Sequence, residues 1–188
     1  MKFCSQCAHP VVFDIPANDN MLRHICPNCG TIYYQNPKIV VCTIPFWDKE
    51  EGVSILLCRR AIDPRQGLWT LPGGFMENNE TTKEAALRET QEETGADVVV
   101  HDLFSLMNLP TAQQVHLFYI AELRHLSFSP GLETLEARMF TEEEIPWKEI
   151  AFSSTRHAIE LFFADPERTV NERRKLHALD LKQLVYPT

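Results

Sequence analysis

The chain has 188 residues, enough for one globular domain with a small appendage, and its 44% hydrophobic and 23% charged residues are ordinary for a folded protein. Eighteen Lys and Arg against 26 Asp and Glu give a net charge of −8, which argues against a nucleic-acid-binding surface. The longest apolar stretch, Ile39–Trp47, is far shorter than the ~20 residues of a membrane-spanning helix. The first ten residues contain no apolar signal segment, so we expect a cytoplasmic protein with reduced cysteines and no membrane partner.

Two pairs of cysteines open the chain in the pattern Cys-x2-Cys-x18-Cys-x2-Cys. Two intervening residues let both thiolates of a tight turn face one ion, so the pattern predicts a zinc ribbon over residues 1–37, with short strands at Val11–Ile15 and Leu22–Ile25. The predicted zinc ligands are Cys4, Cys7, Cys26 and Cys29. Disulfides or free core cysteines are the alternative explanation of these pairs. Cys42 and Cys58 stand alone in apolar runs and are expected in the core.

Strands and two helices are predicted along the rest of the chain. The run from Glu80 to Thr94 lacks Gly and Pro and is followed by Gly95, as is usual at the end of a helix. The predicted strands are Pro37–Trp47, Val53–Arg60, Val98–Leu109, Gln114–Leu123 and Leu135–Phe140, and the predicted helices are Glu80–Thr94 and Ser154–Ala164. This order indicates an α+β fold with a mixed sheet. The sequence leaves open whether the tail, residues 166–188, is a helical extension or a dimer arm.

The first predicted helix carries an unusual group of carboxylates. Glu89, Glu92 and Glu93 fall within about 100° of one face, because positions i, i+3 and i+4 of a helix are neighbours. Like charges at this spacing repel unless they are solvated or neutralised, and a hard divalent cation such as Mg²⁺ or Mn²⁺ neutralises them best. A solvated surface run of glutamates is the alternative.

The string from Gly74 to Ala96 decides between these alternatives. It matches the Nudix box, G-x5-E-x7-R-E-U-x-E-E-x-G-U with U aliphatic, at all seven fixed positions. At average residue frequencies such a match arises by chance on the order of once in a million chains of this length. The chain therefore resembles the Nudix hydrolases. Two U positions depart from the pattern, holding Thr90 and Ala96, and we expect these to affect helix packing rather than chemistry.

The resemblance continues outside the box. Gly67–Gly74 is similar to the loop that precedes the Nudix catalytic helix, and Leu135–Phe140 with Glu144–Pro146 is similar to a late acidic segment of Nudix diphosphatases. Together with the ribbon, Gln35–Lys38 and Ala151–Ser154 resemble the plant-type FAD/ADP-ribose pyrophosphatases. NADH pyrophosphatases with a zinc ribbon are a more distant resemblance, because their Ser-Gln-Pro-Trp-Pro-Phe-Pro signature is absent after the box.

This resemblance implies a Nudix α/β/α sandwich over residues 38–165 that uses Mg²⁺ or Mn²⁺ in catalysis, and the Zn²⁺ of the ribbon would be structural. The implied ligands of Mg²⁺ or Mn²⁺ are Gly74 through its carbonyl, Glu89, Glu92, Glu93 and Glu136. The implied catalytic residues are Glu92, Glu93, Arg88 and Glu136. Arg88 would orient a glutamate of the box, and Glu136, or less favourably Glu133, would be a general base or a further ligand. The alternatives are a simple helix salt bridge for Arg88 and ordinary loop acids for the other two.

Substrate recognition is expected to combine stacking and charge pairing. A planar base or flavin stacks on aromatic side chains, and a diphosphate pairs with arginine. The candidate substrate-binding residues are Trp69, Phe46, Arg59 and Arg60, and further candidates are Trp47, Phe118 and Arg65. Each of these residue types is also common in cores and structural ion pairs.

The resulting hypothesis is a Mg²⁺-dependent Nudix hydrolase. Its substrate would be a dinucleotide or nucleotide-sugar-like compound, such as FAD, ADP-ribose or NADH, in which a nucleoside diphosphate is linked to another moiety. Hydrolysis of the pyrophosphate bond would give two monophosphates. We expect a homodimer and no nucleic-acid partner. The alternative from another class is a non-enzymatic nucleotide sensor or docking module that uses the ribbon to bind a partner.

Overall fold

The computed structural model describes residues 1–49, 52–167 and 176–181. The chain divides into two compact units, Met1–Pro37 and Lys38–Thr188. None of the helices in the described ranges is long and apolar enough to cross a membrane.

The first unit is a small antiparallel sheet of three strands: β1 (Val12–Asp14), β2 (Arg23–Ile25) and β3 (Ile32–Tyr33). β1 pairs with β2, and β2 pairs with β3. The first two strands lie where the sequence predicts them. β3 was not predicted, because two residues next to a cysteine turn are too few to show an alternating pattern.

The second unit is built on one large sheet. Its strands are β4 (Lys38–Lys49), β5 (Gly52–Arg60), β6 (Trp69–Thr70), β7 (Gly73–Phe75), β8 (Val98–Leu109), β9 (Gln114–Leu123), β10 (Thr134–Thr141) and β11 (His177–Asp180), and its helices are α1 (Thr82–Thr94) and α2 (Ser153–Ala164). The strand order is β10-β5-β4-β9-β8-β11, with β6 paired to β5 and β7 paired to β4. β4 runs parallel to β9 and antiparallel to β5, so the predicted mixed sheet is confirmed.

The two helices cover opposite faces of this sheet. Val41 of β4 packs with Ala85 and Ala86 of α1, whereas Phe46 of the same strand packs in the cluster that contains Phe162 of α2. Successive residues of a strand point to opposite faces, and both faces of β4 are therefore buried. This arrangement is the predicted α/β/α sandwich.

Three short strands differ from the sequence expectation. β6 and β7 lie in the segment predicted as a loop, on either side of Pro72, and each pairs with a strand distant in sequence. In the tail, His177–Asp180 form a strand parallel to β8 rather than a helical extension. The dimer-arm alternative for the tail is not decided by this strand, and residues 168–175 and 182–188 lie outside the described residues.

Candidate active site

The first turn of α1 fixes where its carboxylates lie. Thr81 accepts a hydrogen bond from the Glu84 N–H at 3.2 Å, and the Glu84 carboxylate accepts one from the Thr81 N–H at 2.7 Å. This reciprocal capping box sets the helix start, and Gly95, with φ +60°, ends the helix in a left-handed conformation. The intervening turns then place the three glutamates of the box on the wall of one cleft.

Thr90, one departure from the aliphatic pattern of the box, is fully buried against the sheet. Its hydroxyl lies 2.6 Å from that of Thr43 and donates to the Ala86 carbonyl at 2.7 Å. A hydrogen bond to β4 thus replaces the apolar contact that the pattern implies. Ala96 is also buried, so both departures belong to packing.

Arg88 organises the acidic side of the cleft. Its guanidinium donates two hydrogen bonds to the Glu80 carboxylate, at 2.8 and 3.0 Å, and one to the Phe75 carbonyl at 3.2 Å. The remaining nitrogen contacts Glu89 at 2.8 Å and Glu92 at 3.3 Å. These contacts hold the pKa of Glu80 down, to about 2, and raise that of the arginine. Arg88 therefore orients three carboxylates, which is more than the helix salt bridge considered as its alternative.

Glu93 is the most enclosed of the glutamates. Its Oε2 accepts a hydrogen bond from the Gly73 N–H at 3.0 Å and from the Cys58 thiol at 3.5 Å. Burial raises the pKa of Glu93 to about 7, and burial also raises the pKa of Glu89. Both shifts show that these negative charges are incompletely balanced by protein groups.

Gly74 is needed because the chain passes directly over the Glu89 carboxylate. A Cβ at this position would lie 2.5 Å from two atoms of that carboxylate. The Gly74 carbonyl and the three carboxylates make an oxygen-rich, electronegative donor set, which fits a hard divalent cation. In this structure the carboxylates do not converge on one point, because Arg88 lies among them and pairs with two of them.

The cleft around these groups has a volume of about 900 Å³. Its lining comes from α1, from the start of α2, from strands β4 to β9, and from the loops that follow β5, β7 and β9. Three of its six acids lie on α1, while many of its apolar and hydroxyl side chains come from the strands and from the start of α2. A ligand with a charged centre and apolar or planar ends matches such a lining.

The first unit holds a separate metal site. The four cysteine sulfurs lie within 4.8 Å of one another, with Sγ–Sγ distances of 3.6 Å for Cys4 and Cys29 and 3.5 Å for Cys7 and Cys26. Zinc with Zn–S bonds of ~2.3 Å separates its sulfurs by about 3.8 Å in a tetrahedron, so the cluster fits zinc. No disulfide joins any of the six cysteines, all of which lie in the described ranges.

Comparison with known families agrees with both sites. The family model of the NUDIX domain matches residues 36–162, and that of the Nudix N-terminal zinc ribbon matches residues 2–35. The chain belongs to the Nudix family. Its four-cysteine cluster is the zinc site of that ribbon, and Nudix enzymes use Mg²⁺ or Mn²⁺ in catalysis.

Curated Nudix relatives include proteins named NAD-capped RNA hydrolase NudC. The protein from Vibrio vulnificus is 29% identical over 147 residues, which are 78% of this chain and 53% of the relative. That from Salmonella heidelberg is 31% identical over 77% of this chain and 53% of the relative. The chain thus spans about half the length of these curated relatives.

A solved structure resembles nearly the whole chain. It is a NUDIX hydrolase from Nitrosomonas europaea, 45% identical, with a TM-score of 0.84. The match covers 96% of this chain and 99% of that one. Sequence and fold therefore agree that this chain belongs to the Nudix family.

Two of the four candidate substrate residues lie inside the Nudix core. Phe46 is 2% exposed and packs near Phe162, and Trp69 is 6% exposed with its ring edge-on to Phe140 at 4.9 Å. Burial against the sheet and α2 keeps both rings from a ligand in the cleft. Phe118, a further possibility, is fully buried as well. The structure therefore corrects these aromatic assignments.

The arginine candidates divide between the cleft and the sheet edge. Arg60 lines the cleft, and its guanidinium lies 5.1 Å from the centre of the Phe152 ring. Arg59 points elsewhere, donating to the Gly67 carbonyl at 2.8 Å and lying 4.0 Å from Glu136. Glu136 is therefore paired across the β5–β10 ladder, outside the cleft lining, whereas Glu133 lies on it.

Several cleft residues were missed from the sequence. Gln114 and His116 meet through a 2.8 Å hydrogen bond at the start of β9, and Ser153 and Ser154 begin α2. Phe75, 48% exposed, adds an aromatic surface. The parallel pairing of β4 with β9 brings Gln114 and His116 to the cleft, and the local sequence contains no signal that predicts this pairing.

Proposed function

We propose that this Nudix hydrolase cleaves the pyrophosphate bond of a nucleoside diphosphate linked to another moiety, in the class of FAD, ADP-ribose or NADH, and releases two monophosphates. The observation that carries the proposal is the joint position of Glu89, Glu92 and Glu93 on one wall of a cleft of about 900 Å³. The cleft is large enough for a ligand with a group on each side of a diphosphate.

The chain's own residues account for binding and orientation in this reaction. Glu89, Glu92, Glu93 and the Gly74 carbonyl would hold Mg²⁺ or Mn²⁺, and Arg88 keeps the carboxylates in place. When bound, the cation screens the phosphate charges and lowers the pKa of a water molecule. Hydrolysis forms a bond from water oxygen to one phosphorus, breaks the bridging P–O bond, and leaves the bridging oxygen on the second phosphate.

The proton of the attacking water must pass to a base near the cleft. Glu133 lies on the cleft lining, whereas Glu136 lies 4.0 Å from Arg59 outside it. We therefore favour Glu133 as the base. For Glu136 to act as the base, its carboxylate would have to break its contact with Arg59 and move into the cleft. Separate Glu133→Gln and Glu136→Gln variants distinguish the two assignments, since the one with the larger loss of kcat identifies the base.

The central experiment measures product formation from a panel of substrates with Mg²⁺ and with Mn²⁺. The panel includes FAD, ADP-ribose, NADH, NAD⁺, diadenosine polyphosphates, nucleoside triphosphates and, because relatives carry that name, NAD-capped RNA. We expect monophosphate products from the first three and a loss of at least 100-fold in kcat for Glu93→Gln. The matched control is Glu142→Gln, which changes an exposed acid outside the cleft.

Two outcomes contradict the proposal. Full turnover by Glu93→Gln would show that the glutamates of the box do not carry the reaction. Tight binding of ADP-ribose without release of AMP, with either metal, would instead support the non-enzymatic sensor.

We also propose a homodimer in a reducing cytoplasmic compartment. Light scattering of the purified chain measures its oligomeric state.

A further inference from the structure

The N-terminus of α2 is buried without a cap. Ser153, Ser154 and Thr155 form its first turn and are only 9%, 1% and 3% exposed, yet they line the cleft. The N-cap residue, Phe152, has no side-chain oxygen, and the first bond back to it comes from the Arg156 N–H at 3.0 Å. Within the described residues, the N–H groups of positions 153–155 have no protein acceptor. A buried helix end of this kind is normally satisfied by water or by a ligand.

The serine hydroxyls of this turn are a second, independent observation. Thr155 contacts the Thr70 hydroxyl at 3.2 Å, but within the described part of the chain neither Ser153 nor Ser154 has a hydrogen-bond partner for its hydroxyl. Both residues are at least nine-tenths buried, and both line the cleft. Two unpartnered donors beside three free N–H groups point to an acceptor that enters from the cleft.

A positive charge lies beside the same turn. The Arg60 guanidinium sits over the ring of Phe152, and its Nε donates to the Pro64 carbonyl at 2.8 Å, which fixes the side chain on the cleft wall. A helix N-terminus and an arginine both favour an anion.

This group of donors is connected to the carboxylate side of the cleft through two residues. Thr155 contacts Thr70, the Cys58 thiol lies 3.5 Å from the Thr70 carbonyl, and the same thiol lies 3.5 Å from Glu93. The box glutamates and this group of donors therefore line one cleft and are joined through Thr70 and Cys58.

We propose that the N-terminus of α2, with the hydroxyls of Ser153 and Ser154 and the guanidinium of Arg60, binds a phosphate group of the nucleotide, in the substrate and in the monophosphate product. The inference rests on the proposed function and names a subsite of it. The glutamates hold one phosphate through a cation, and this subsite holds phosphate oxygens by direct hydrogen bonds.

The test measures AMP binding by calorimetry, with the whole chain, its ribbon zinc retained and no Mg²⁺ or Mn²⁺ added. Without a divalent cation the glutamates repel phosphate, so the α2 subsite alone supports binding. We expect Ser154→Ala to raise the Kd of AMP about tenfold, and Ser153→Ala to act in the same direction. The matched control is Ser105→Ala, which removes a buried hydroxyl that has no hydrogen-bond partner in the described residues and lies on β8, outside the cleft lining.

Adenosine serves as the uncharged comparison ligand. We expect it to bind at least tenfold more weakly than AMP, and we expect Arg60→Gln to remove most of that difference. Equal Kd values for AMP and adenosine, or wild-type AMP affinity in both serine variants, would overturn the subsite. Absence of diphosphate turnover with normal AMP binding would contradict only the proposed hydrolysis, because this assay involves no reaction.

Discussion

Gly131 packs so closely against the main-chain carbonyl of Glu92 that a Cβ at position 131 would overlap the oxygen. Its own N–H donates to the Glu93 carbonyl at 2.9 Å. The last carbonyls of a helix lack partners within the helix, and here the loop after β9 supplies one. Because Glu133 follows two residues later, the end of the catalytic helix determines where this loop acid meets the cleft.

Replacing Gly131 by alanine is therefore expected to displace the loop. We predict that Gly131→Ala lowers the free energy of unfolding by about 1–3 kcal/mol and lowers kcat at least tenfold. The control, Gly52→Ala, has a positive φ of +99° but open space around its Cβ, so it should lose about 1 kcal/mol and keep its turnover. Denaturant unfolding and single-turnover kinetics measure the two effects. Wild-type kcat in Gly131→Ala would show that the contact does not position the loop.

His116 is predicted to make stability depend on pH below neutrality. The residue is 9% exposed, and burial lowers its pKa from 6.5 to about 4. Above pH 6.5 the imidazole is neutral in both states and contributes nothing. Between pH 6.5 and 4 the unfolded chain takes up the proton first, so the folded state loses up to roughly 3 kcal/mol. We expect His116→Gln to flatten the pH dependence of the denaturant midpoint in this window; an unchanged profile would contradict the prediction.

The sequence predicted those parts of the fold whose signals are local. Gly95 marks the predicted end of α1, which begins at Thr82 rather than at the predicted Glu80, and β8 and β9 have the predicted bounds. β6 and β7 could not be predicted, because two or three residues around Pro72 and Gly73 carry no periodic pattern and become strands only by pairing with β5 and β4.

The candidate site likewise combines local signals, which the sequence shows, with contacts between distant segments, which it does not show. The i, i+3, i+4 spacing of the glutamates and the positions of the cysteines are visible in the sequence. Phe46 and Trp69 were assigned by residue type, and type alone does not tell which aromatic ring faces the core. The sequence singled out Ala151–Ser154 only as part of a family resemblance. The first turn of α2 reaches the cleft through tertiary packing, so the place of Ser153 and Ser154 in the site is visible only in the structure.

The pair formed by Glu80 and Arg88 should affect stability in a more acidic window than His116. The arginine lowers the pKa of Glu80 from 4.5 to about 2, so the pair stabilises the fold fully above pH 4.5 and loses this contribution as the pH falls through 2. We predict that Glu80→Gln is less stable than wild type at pH 7 and that the difference shrinks between pH 4.5 and 2. The matched control is Glu143→Gln, because Glu143 is exposed. Glu84→Gln is unsuitable as a control, because the Glu84 side chain caps α1. A difference independent of pH would exclude the ion pair as its source.

Tyr33 is expected to strengthen zinc binding by the ribbon. Its hydroxyl donates to the Cys4 sulfur at 3.0 Å and accepts from the Ser5 N–H at 2.8 Å. This donation is the largest of several hydrogen bonds that together lower the pKa of Cys4 from 9.0 to about 6. A thiol must lose its proton to bind zinc, so a lower pKa reduces competition from protons near neutrality.

The corresponding prediction is that Tyr33→Phe weakens zinc binding about tenfold at pH 6.5, and by less at pH 9, where even a thiol with the ordinary pKa of 9.0 is half ionised. Competition with a chromogenic chelator measures the affinity at each pH. Tyr34→Phe is the matched control, because Tyr34 is 65% exposed and lies against Arg23, away from the cysteines. An equal loss at both pH values would mean that Tyr33 acts only by packing, since the loss of a thiolate-stabilising hydrogen bond must diminish as proton competition disappears.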